Sequence, residues 1–289
     1  MQFAISSGKG GTGKTTVATS LALSLVGPNR VVYLDCDVEA PNGYLFLKPN
    51  FTSSTDAVIR IPEIDPAKCS LCGRCVEVCQ FHALAKVGKR ILVFHQLCHG
   101  CGSCTWNCPE GAITEVPNSI GFLEAGGTQE DIRFAQGRLT ISEPMPTPVI
   151  RQLKRQERPE EQAVVILDSP PGASCSVVET LRGADFALLV TEPTPFGLHD
   201  LRQILGIVRE MNIPAGVIIN RTRDTYEPME QFCNDQNLLV MMRIPYERRI
   251  AEGLAQGKTL LDIDLAYRDA FIALADQAVK LAARDNLSL

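Results

Sequence analysis

Apolar and polar positions set a clear rhythm at the start of the chain. A short apolar run, Phe3-Ala4-Ile5, meets a glycine-rich stretch, and Val17 to Leu23 then reads as a helix. Val31-Val32-Tyr33-Leu34 is a second buried-strand pattern and ends in Asp35-Cys36-Asp37. After Asn42 the rhythm stops, and from Arg60 to Pro117 there are only short segments. Ser119 to Ser142 reads as an irregular β excursion, with Gly121, Gly126, Gly127 and Gly137 as turns. Regularity then returns. Thr147 to Gln156 is a helix, Ala163 to Leu167 a central strand, Phe186 to Val190 a strand, Leu198 to Arg209 a helix and Gly216 to Asn220 a strand. Glu227 to Gln236 and Glu247 to Ala255 are further helices. A long amphipathic helix is predicted from Asp262 to Arg284, with Tyr267, Phe271, Leu274, Ala278 and Leu281 on its apolar side. The pattern predicts an α/β protein with a doubly wound, mostly parallel sheet, residues 1–59 and 118–289, interrupted by a small α+β insert at 60–117.

Composition narrows this little. Of 289 residues, 45% are hydrophobic and 21% charged, as in an ordinary globular protein. A net charge of −5 and the lack of a basic run argue against nucleic acid as a partner. No apolar stretch approaches the roughly 20 residues of a membrane helix. The first residues lead straight into the glycine-rich stretch without a leader-like segment, so a cytoplasmic protein is expected. In the last helix, Lys280 and Arg284 are offset by Asp276 and Asp285, which favours core packing over a stable membrane anchor.

The candidate chemistry begins with Ser7-Gly8-Lys9-Gly10-Gly11-Thr12-Gly13-Lys14-Thr15-Thr16. Gly8, Gly13, Lys14 and Thr15 meet the pattern G-x-x-x-x-G-K-[ST] between a strand and a helix. From Gly8 through Gly10, Gly11, Thr12, Gly13 and on to Thr16, backbone N–H groups would cradle a nucleotide's phosphates. Lys14 would reach the β- and γ-phosphates, and the Thr15 hydroxyl would hold Mg²⁺. In such sheets ligands sit beyond the carboxyl ends of the strands, which places Asp35 and Asp37 near the phosphates. Asp168 follows four apolar residues and precedes Ser169-Pro170-Pro171-Gly172; an aspartate there sits beside Mg²⁺, and the stiff turn can sense a γ-phosphate.

Eight of the eleven cysteines lie between Cys69 and Cys108, in an internal repeat. Cys69, Cys72, Cys75 and Cys79 align with Cys98, Cys101, Cys104 and Cys108 at a constant offset of 29 positions, which continues through Ala83/Ala112, Leu84/Ile113 and Val87/Val116. Each copy reads as a cysteine loop, a short helical turn and a small strand. Both have the C-x₂-C-x₂-C-x₃-C spacing of [4Fe–4S] proteins, and the second ends in Cys108-Pro109. Disulfides would need an oxidising compartment, and zinc does not call for the third cysteine. Gln80 stands where the first copy would have a proline. Gly73, Gly100 and Gly102 suit loops whose N–H groups approach cluster sulfurs. His99 and Trp106 read as packing or rim residues, and Cys36, Cys175 and Cys233 as small buried hydrophobes.

The insert resembles the two-cluster bacterial ferredoxins. That resemblance implies one [4Fe–4S] cluster on Cys69, Cys72, Cys75 and Cys108, and a second on Cys98, Cys101, Cys104 and Cys79. The remainder, with Lys9-Gly10-Gly11-Thr12-Gly13-Lys14-Thr15, resembles the deviant-Walker-A ATPases: cell-division regulators of the MinD type, partition ATPases, Mrp/Nbp35 iron–sulfur carriers and the nitrogenase iron protein. Asp35-Cys36-Asp37 matches their first switch, Asp168 to Gly172 their second, and Thr191-Glu192-Pro193-Thr194 a recurring strand end. The resemblance implies that Lys9 reaches across an ATP-bound homodimer to the partner's phosphates. It further implies that Asp37 orients the attacking water, that Asp35 and Asp168 stand with Thr15 at Mg²⁺, and that Asn220, Arg221 and Pro245 contact the adenine.

An ATPase that couples nucleotide state to electron transfer with a redox or regulatory protein partner follows most directly. One alternative is an iron–sulfur carrier, although the C-terminal Cys-x-x-Cys of such proteins is not met by Cys233 alone. Another is a MinD-like switch that recruits partners according to nucleotide state.

Overall fold

The computed structural model describes residues 1–27, 29–157 and 163–285. Its centre is a nine-stranded sheet in the order β11-β10-β9-β1-β8-β2-β7-β6-β3. The strands are β1 (Gln2–Ser6), β2 (Val31–Asp35), β3 (Asn50–Ile64), β6 (Ile113–Gly127), β7 (Ile132–Leu139), β8 (Val164–Asp168), β9 (Phe186–Thr191), β10 (Ala215–Thr222) and β11 (Leu239–Pro245). From β11 to β7 all neighbours are parallel, while β7, β6 and β3 are antiparallel. Central strands such as β1 and β2 are buried on both faces, which is why they read as continuous apolar runs.

Helices cover both faces. On one, α1 (Lys14–Leu25), α10 (Leu260–Ile263) and α11 (Ala266–Asp285) close over Phe3, Ile5, Tyr33, Ile166 and Phe186. On the other, α5 (Pro146–Gln156), α6 (Cys175–Leu181), α7 (Pro195–Glu210) and α8 (Glu227–Asp235) close over Ala4, Leu34, Leu167 and Leu189. Two short elements complete the host, α2 (Tyr44–Leu47) and α9 (Arg248–Ala255).

Four sequence expectations need correction. The segment from Ser119 to Ser142 is not irregular: it supplies the end of β6 and all of β7, both in the main sheet. Its glycines permit close strand approach rather than turns, since a Cβ on Gly126 would stand 1.9 Å from the Asn50 carbonyl oxygen. The last helix is two. Asp264 breaks it by accepting the Ala266 N–H at 3.0 Å, and Thr259 and Asp262 form a capping box at the start of α10. Cys175 is exposed, unlike the buried Cys36 and Cys233, because it opens α6 directly after the Pro-Pro-Gly turn. Finally, β3 lies where no strand was expected; its first half is polar and exposed, so it shows no apolar run. The offsetting charges Arg284 and Asp285 have side chains outside the described residues.

The cysteine-rich segment grows out of the sheet on a ribbon. β3 and β6 pair from Asn50↔Gly127 to Ile64↔Ile113, but β7 pairs only with residues 121–127 of β6. Residues 58–64 and 113–119 therefore project beyond the sheet. Arg60 and Pro117 face each other across this ribbon, so a boundary drawn there crosses two paired strands. Beyond it come α3 (Arg74–Glu77), a hairpin of β4 (Leu84–Val87) and β5 (Arg90–Val93), and α4 (Ser103–Trp106).

Candidate functional site

At the carboxyl end of β1 the chain turns into α1 through Gly8 to Gly13. Gly13 has φ 97°, and a Cβ there would lie 2.3 Å from Asn220 Nδ2, so only glycine lets the loop close. Lys14 is folded back into the loop. Its ammonium donates to Ser7 Oγ at 3.0 Å and lies 3.4 Å from the Lys9 carbonyl oxygen. Burial lowers its pKa, while the charges of Asp168 and Asp37 act in the opposite sense.

Three carboxylates cluster beside this loop, and two of them, Asp168 and Asp37, act on the ammonium. Asp35 and Asp168 are directly paired in register at the ends of β2 and β8, and both are fully buried. Burial and their mutual closeness raise Asp35 well above the usual carboxylate range. Asp37 is pushed up to about 6 by burial and by Asp168, against the pull of Lys14. The oxygens of Asp35 are already engaged: Oδ1 accepts from the Asp37 N–H at 3.1 Å, and Oδ2 accepts from Asn42 and Gly43 at 3.0 and 2.9 Å. Asp35 thus shapes the loop that carries Asp37.

Asp168 differs. Its Oδ2 accepts a hydrogen bond from the buried Tyr33 hydroxyl at 2.8 Å, whereas its Oδ1 is buried without a partner. Burial raises its pKa, with Thr15, Tyr33 and Lys14 opposing. An unpartnered buried acceptor costs about 1–3 kcal/mol. A divalent cation beside Thr15 would satisfy that oxygen and offset the excess negative charge, so the donor set fits Mg²⁺.

Lys9, read from sequence as reaching outward, is held within its own chain. Its ammonium lies 3.2 Å from Glu192 Oε2, and Glu192 Oε1 accepts from Arg221 at 2.6 Å. Glu192 therefore ties the loop to the end of β10; the sequence signal was the Thr191-to-Thr194 strand end, whose glutamate was given no role. Asn220 reinforces the tie by donating from Nδ2 to the Thr12 carbonyl oxygen at 2.8 Å. Beside them lies a cavity of about 400 Å³ lined by Pro193, Arg221, Arg223, Tyr226 and Tyr246. The Arg223 guanidinium stacks over the Tyr246 ring at 3.9 Å. Pro245 ends β11 next to it. Nucleotide-loop residues and the three expected base contacts are thus gathered along one edge of the sheet.

The eight repeat cysteines divide between two hollows in the insert. One is lined by Cys69, Cys72, Cys75 and Cys108, the other by Cys98, Cys101, Cys104 and Cys79. Each takes three cysteines from one copy and the fourth from the other. The 29-residue repeat is visible in the backbone. Gly73 and Gly102 share a left-handed conformation at the N-termini of α3 and α4, and the N–H groups of Ala83 and Ala112 each donate to the fourth cysteine, Cys79 and Cys108, at 3.3 Å. Burial and neighbouring thiols raise Cys75, Cys98 and Cys104, while the N–H groups of Val76, Gly100 and Thr105 favour their thiolates. All eleven cysteines are unpaired. Among the described residues, no three His, Cys, Asp or Glu side chains converge as a single metal ion would require. His99 stacks on Phe81, and Trp106 is 90% exposed at the rim.

A glycine-rich loop between the first strand and helix of a mostly parallel sheet, with carboxylates at the adjoining strand ends, defines a P-loop nucleotide-binding protein. Residues 3–260 match the model of the CobQ/CobB/MinD/ParA nucleotide binding domain, and the chain belongs to that family. It is 30% identical over 262 residues to an uncharacterised protein of Methanocaldococcus jannaschii, MJ0579, covering 90% of this chain and 91% of that one. It is 26% identical to the cytosolic Fe-S cluster assembly factor NUBP2 homologue of Trichoplax adhaerens, covering 94% and 89%. In fold it is similar to the septum site-determining protein MinD of Pyrococcus horikoshii, solved with Mg-ADP, at a TM-score of 0.58 and 20% identity over 98% of both chains. Among the described residues, no helix is long and apolar enough to cross a membrane.

Proposed function

We propose that this chain is a cytoplasmic ATPase that dimerises on binding ATP, carries two [4Fe–4S] clusters in residues 60–117, and couples its nucleotide state to electron transfer with a protein partner. The observation that carries the reading is the partition of eight cysteines into two four-cysteine hollows, each completed by the other copy, on a ribbon continuous with the sheet that bears the nucleotide loop. Thiolate donors in two interleaved sets fit a pair of cubane clusters. When bound, the clusters supply two one-electron redox centres.

At the nucleotide end, the N–H groups from Gly8 to Thr16 receive the phosphates and Lys14 neutralises their charge. Thr15 and the unpartnered Asp168 Oδ1 would hold Mg²⁺, which would supply screening of the charge on the phosphate oxygens. Asp37, carried on the loop that Asp35 ties down, orients the water, and Asn220, Arg221 and Pro245 seat the adenine. Lys9 leaves Glu192 to reach the partner's phosphates, so dimerisation exchanges an internal ion pair for an intermolecular one. The coupling path is short. β2, which ends at Asp35, pairs with β7, and β7 pairs with β6, whose other end enters the insert.

The test is anaerobic purification with iron and sulfide analysis, followed by ATPase and dimerisation assays with the clusters oxidised and reduced. Two clusters per chain and a redox-dependent ATPase or dimer support the reading; rates indifferent to cluster state overturn the coupling. A carrier role is the second reading. It is favoured by the similarity to the NUBP2 homologue and to the iron-sulfur cluster carrier protein of Aquifex aeolicus, 24% identical over 94% of this chain and 64% of that one. Transfer of cluster to an apo-acceptor would distinguish it.

A further inference from the structure

The two cysteine hollows are unlike in position and in charge. Arg60 and Pro62 of β3 line the hollow of Cys98, Cys101, Cys104 and Cys79, whereas Ile64 and Ile113, at the far tip of the ribbon, line that of Cys69, Cys72, Cys75 and Cys108. At about 3.3 Å per residue, Ile64 stands roughly 13 Å farther from the sheet than Arg60. The second hollow is therefore the distal one; Ile91 of β5 lines it, while Leu84, at the other end of the β4–β5 hairpin, lines the first.

All six Lys and Arg residues between positions 60 and 117 lie at or before Arg90, and three of them fall in the hairpin stretch Lys86-Val87-Gly88-Lys89-Arg90. Lys86 donates to the Leu71 carbonyl oxygen, which leans the hairpin onto the distal cysteine loop. Lys89 and Arg90 are exposed and, among the described residues, their side chains have neither an ion-pair nor a hydrogen-bond partner. Two other cations of the insert are paired, Lys68 with Asp65 and Arg74 with Glu77. Val87, 50% exposed, sits between these cations. A cationic rim around an apolar contact steers an anionic macromolecule to this tip.

We propose that the β4–β5 hairpin is the docking surface for an acidic electron-carrier protein, which it seats against the distal cysteine hollow. This rests on the reading of the hollows as cluster sites. Three cations in five residues are fewer than the roughly four to eight clustered Lys/Arg of an anionic-lipid site, and the chain carries no basic run of the kind a nucleic-acid surface needs.

The test uses the anaerobically reconstituted full chain and, as probe, a fluorescently labelled acidic plant-type ferredoxin, with iron and sulfide measured on every sample. Binding should weaken as salt rises and fall about tenfold in Lys89→Glu/Arg90→Glu, with a smaller loss in Lys89→Gln/Arg90→Gln. Trp106→Ala, at the other hollow, should bind as wild type. Full-strength binding by both hairpin variants at undiminished cluster content overturns the proposal. Hairpin-dependent binding to phosphatidylglycerol vesicles but not to the ferredoxin also overturns it, in favour of a lipid surface. A wild-type chain that holds no iron or sulfide instead overturns the cluster reading, and salt-sensitive binding by the hairpin can still be scored on that sample.

Discussion

The nucleotide end and the cysteine end are built on opposite principles. Around the loop from Gly8 to Thr16, the geometry is fixed by the chain itself: Lys14 is bonded to Ser7, Asn220 to Thr12, Asp35 to three backbone N–H groups and Asp168 to Tyr33. The site stands preformed. The insert has two short helices, a hairpin of two four-residue strands and buried side chains that are largely the cysteines themselves. So small a core supplies little stability, so on the proposed reading its order depends on the clusters the thiolates would hold. On the proposed reading, one end is ordered by its own side chains and backbone, whereas the other takes its order from the clusters it would hold.

Removing iron breaks this comparison most severely. Chelation under reducing conditions should make residues 65–112 exchange their amide hydrogens freely while β1, β8 and β9 stay protected; loss of protection in both regions would show one cooperative unit. Lys14→Ala comes next and acts only at the other end. It should weaken ATP binding about 10- to 100-fold, read by titration, with cluster content unchanged.

Tyr33→Phe sharpens the point. It removes the donor to Asp168 Oδ2 and should lower stability by about 1–2 kcal/mol in urea, an effect that added Mg²⁺ reduces. The smallest effect is expected from Glu192→Gln. Its side chain is mostly buried but its partners Lys9 and Arg221 are partly exposed, so losing the pair should cost below about 1 kcal/mol while favouring ATP-dependent dimerisation, measured by sedimentation. Lys9→Ala should abolish that dimer; a dimer of wild-type strength would remove the trans role of Lys9.

The sequence made the loop, the central strands and the cysteine repeat legible for physical reasons. A phosphate cradle needs glycines at fixed spacing, strands buried on both faces must be apolar throughout, and the repeat kept its offset of 29 through cysteines, glycines and the short strands. β3 stayed hidden because its first half, at the edge of the sheet, is exposed and mostly polar and has no alternation, and the alternation of residues 57–61 beyond it is short. β11 was missed although it is partly apolar, since its burial comes only from its neighbours in the fold. Glu192 and Tyr33 could not be singled out either. Each acts through a partner more than 25 positions away, Glu192 on Arg221 and Tyr33 on Asp168, and separations of 29 and 135 residues leave no local signature.

The central claim is that the two ends communicate through β2, β7 and β6. The most direct measurement is the midpoint potential of the clusters in the anaerobic holoprotein, titrated without nucleotide and then with Mg²⁺ and a non-hydrolysable ATP analogue. The account predicts that the potential shifts on nucleotide binding and that Lys14→Ala removes the shift. Identical potentials with and without bound nucleotide, in a protein shown to bind both, would contradict it.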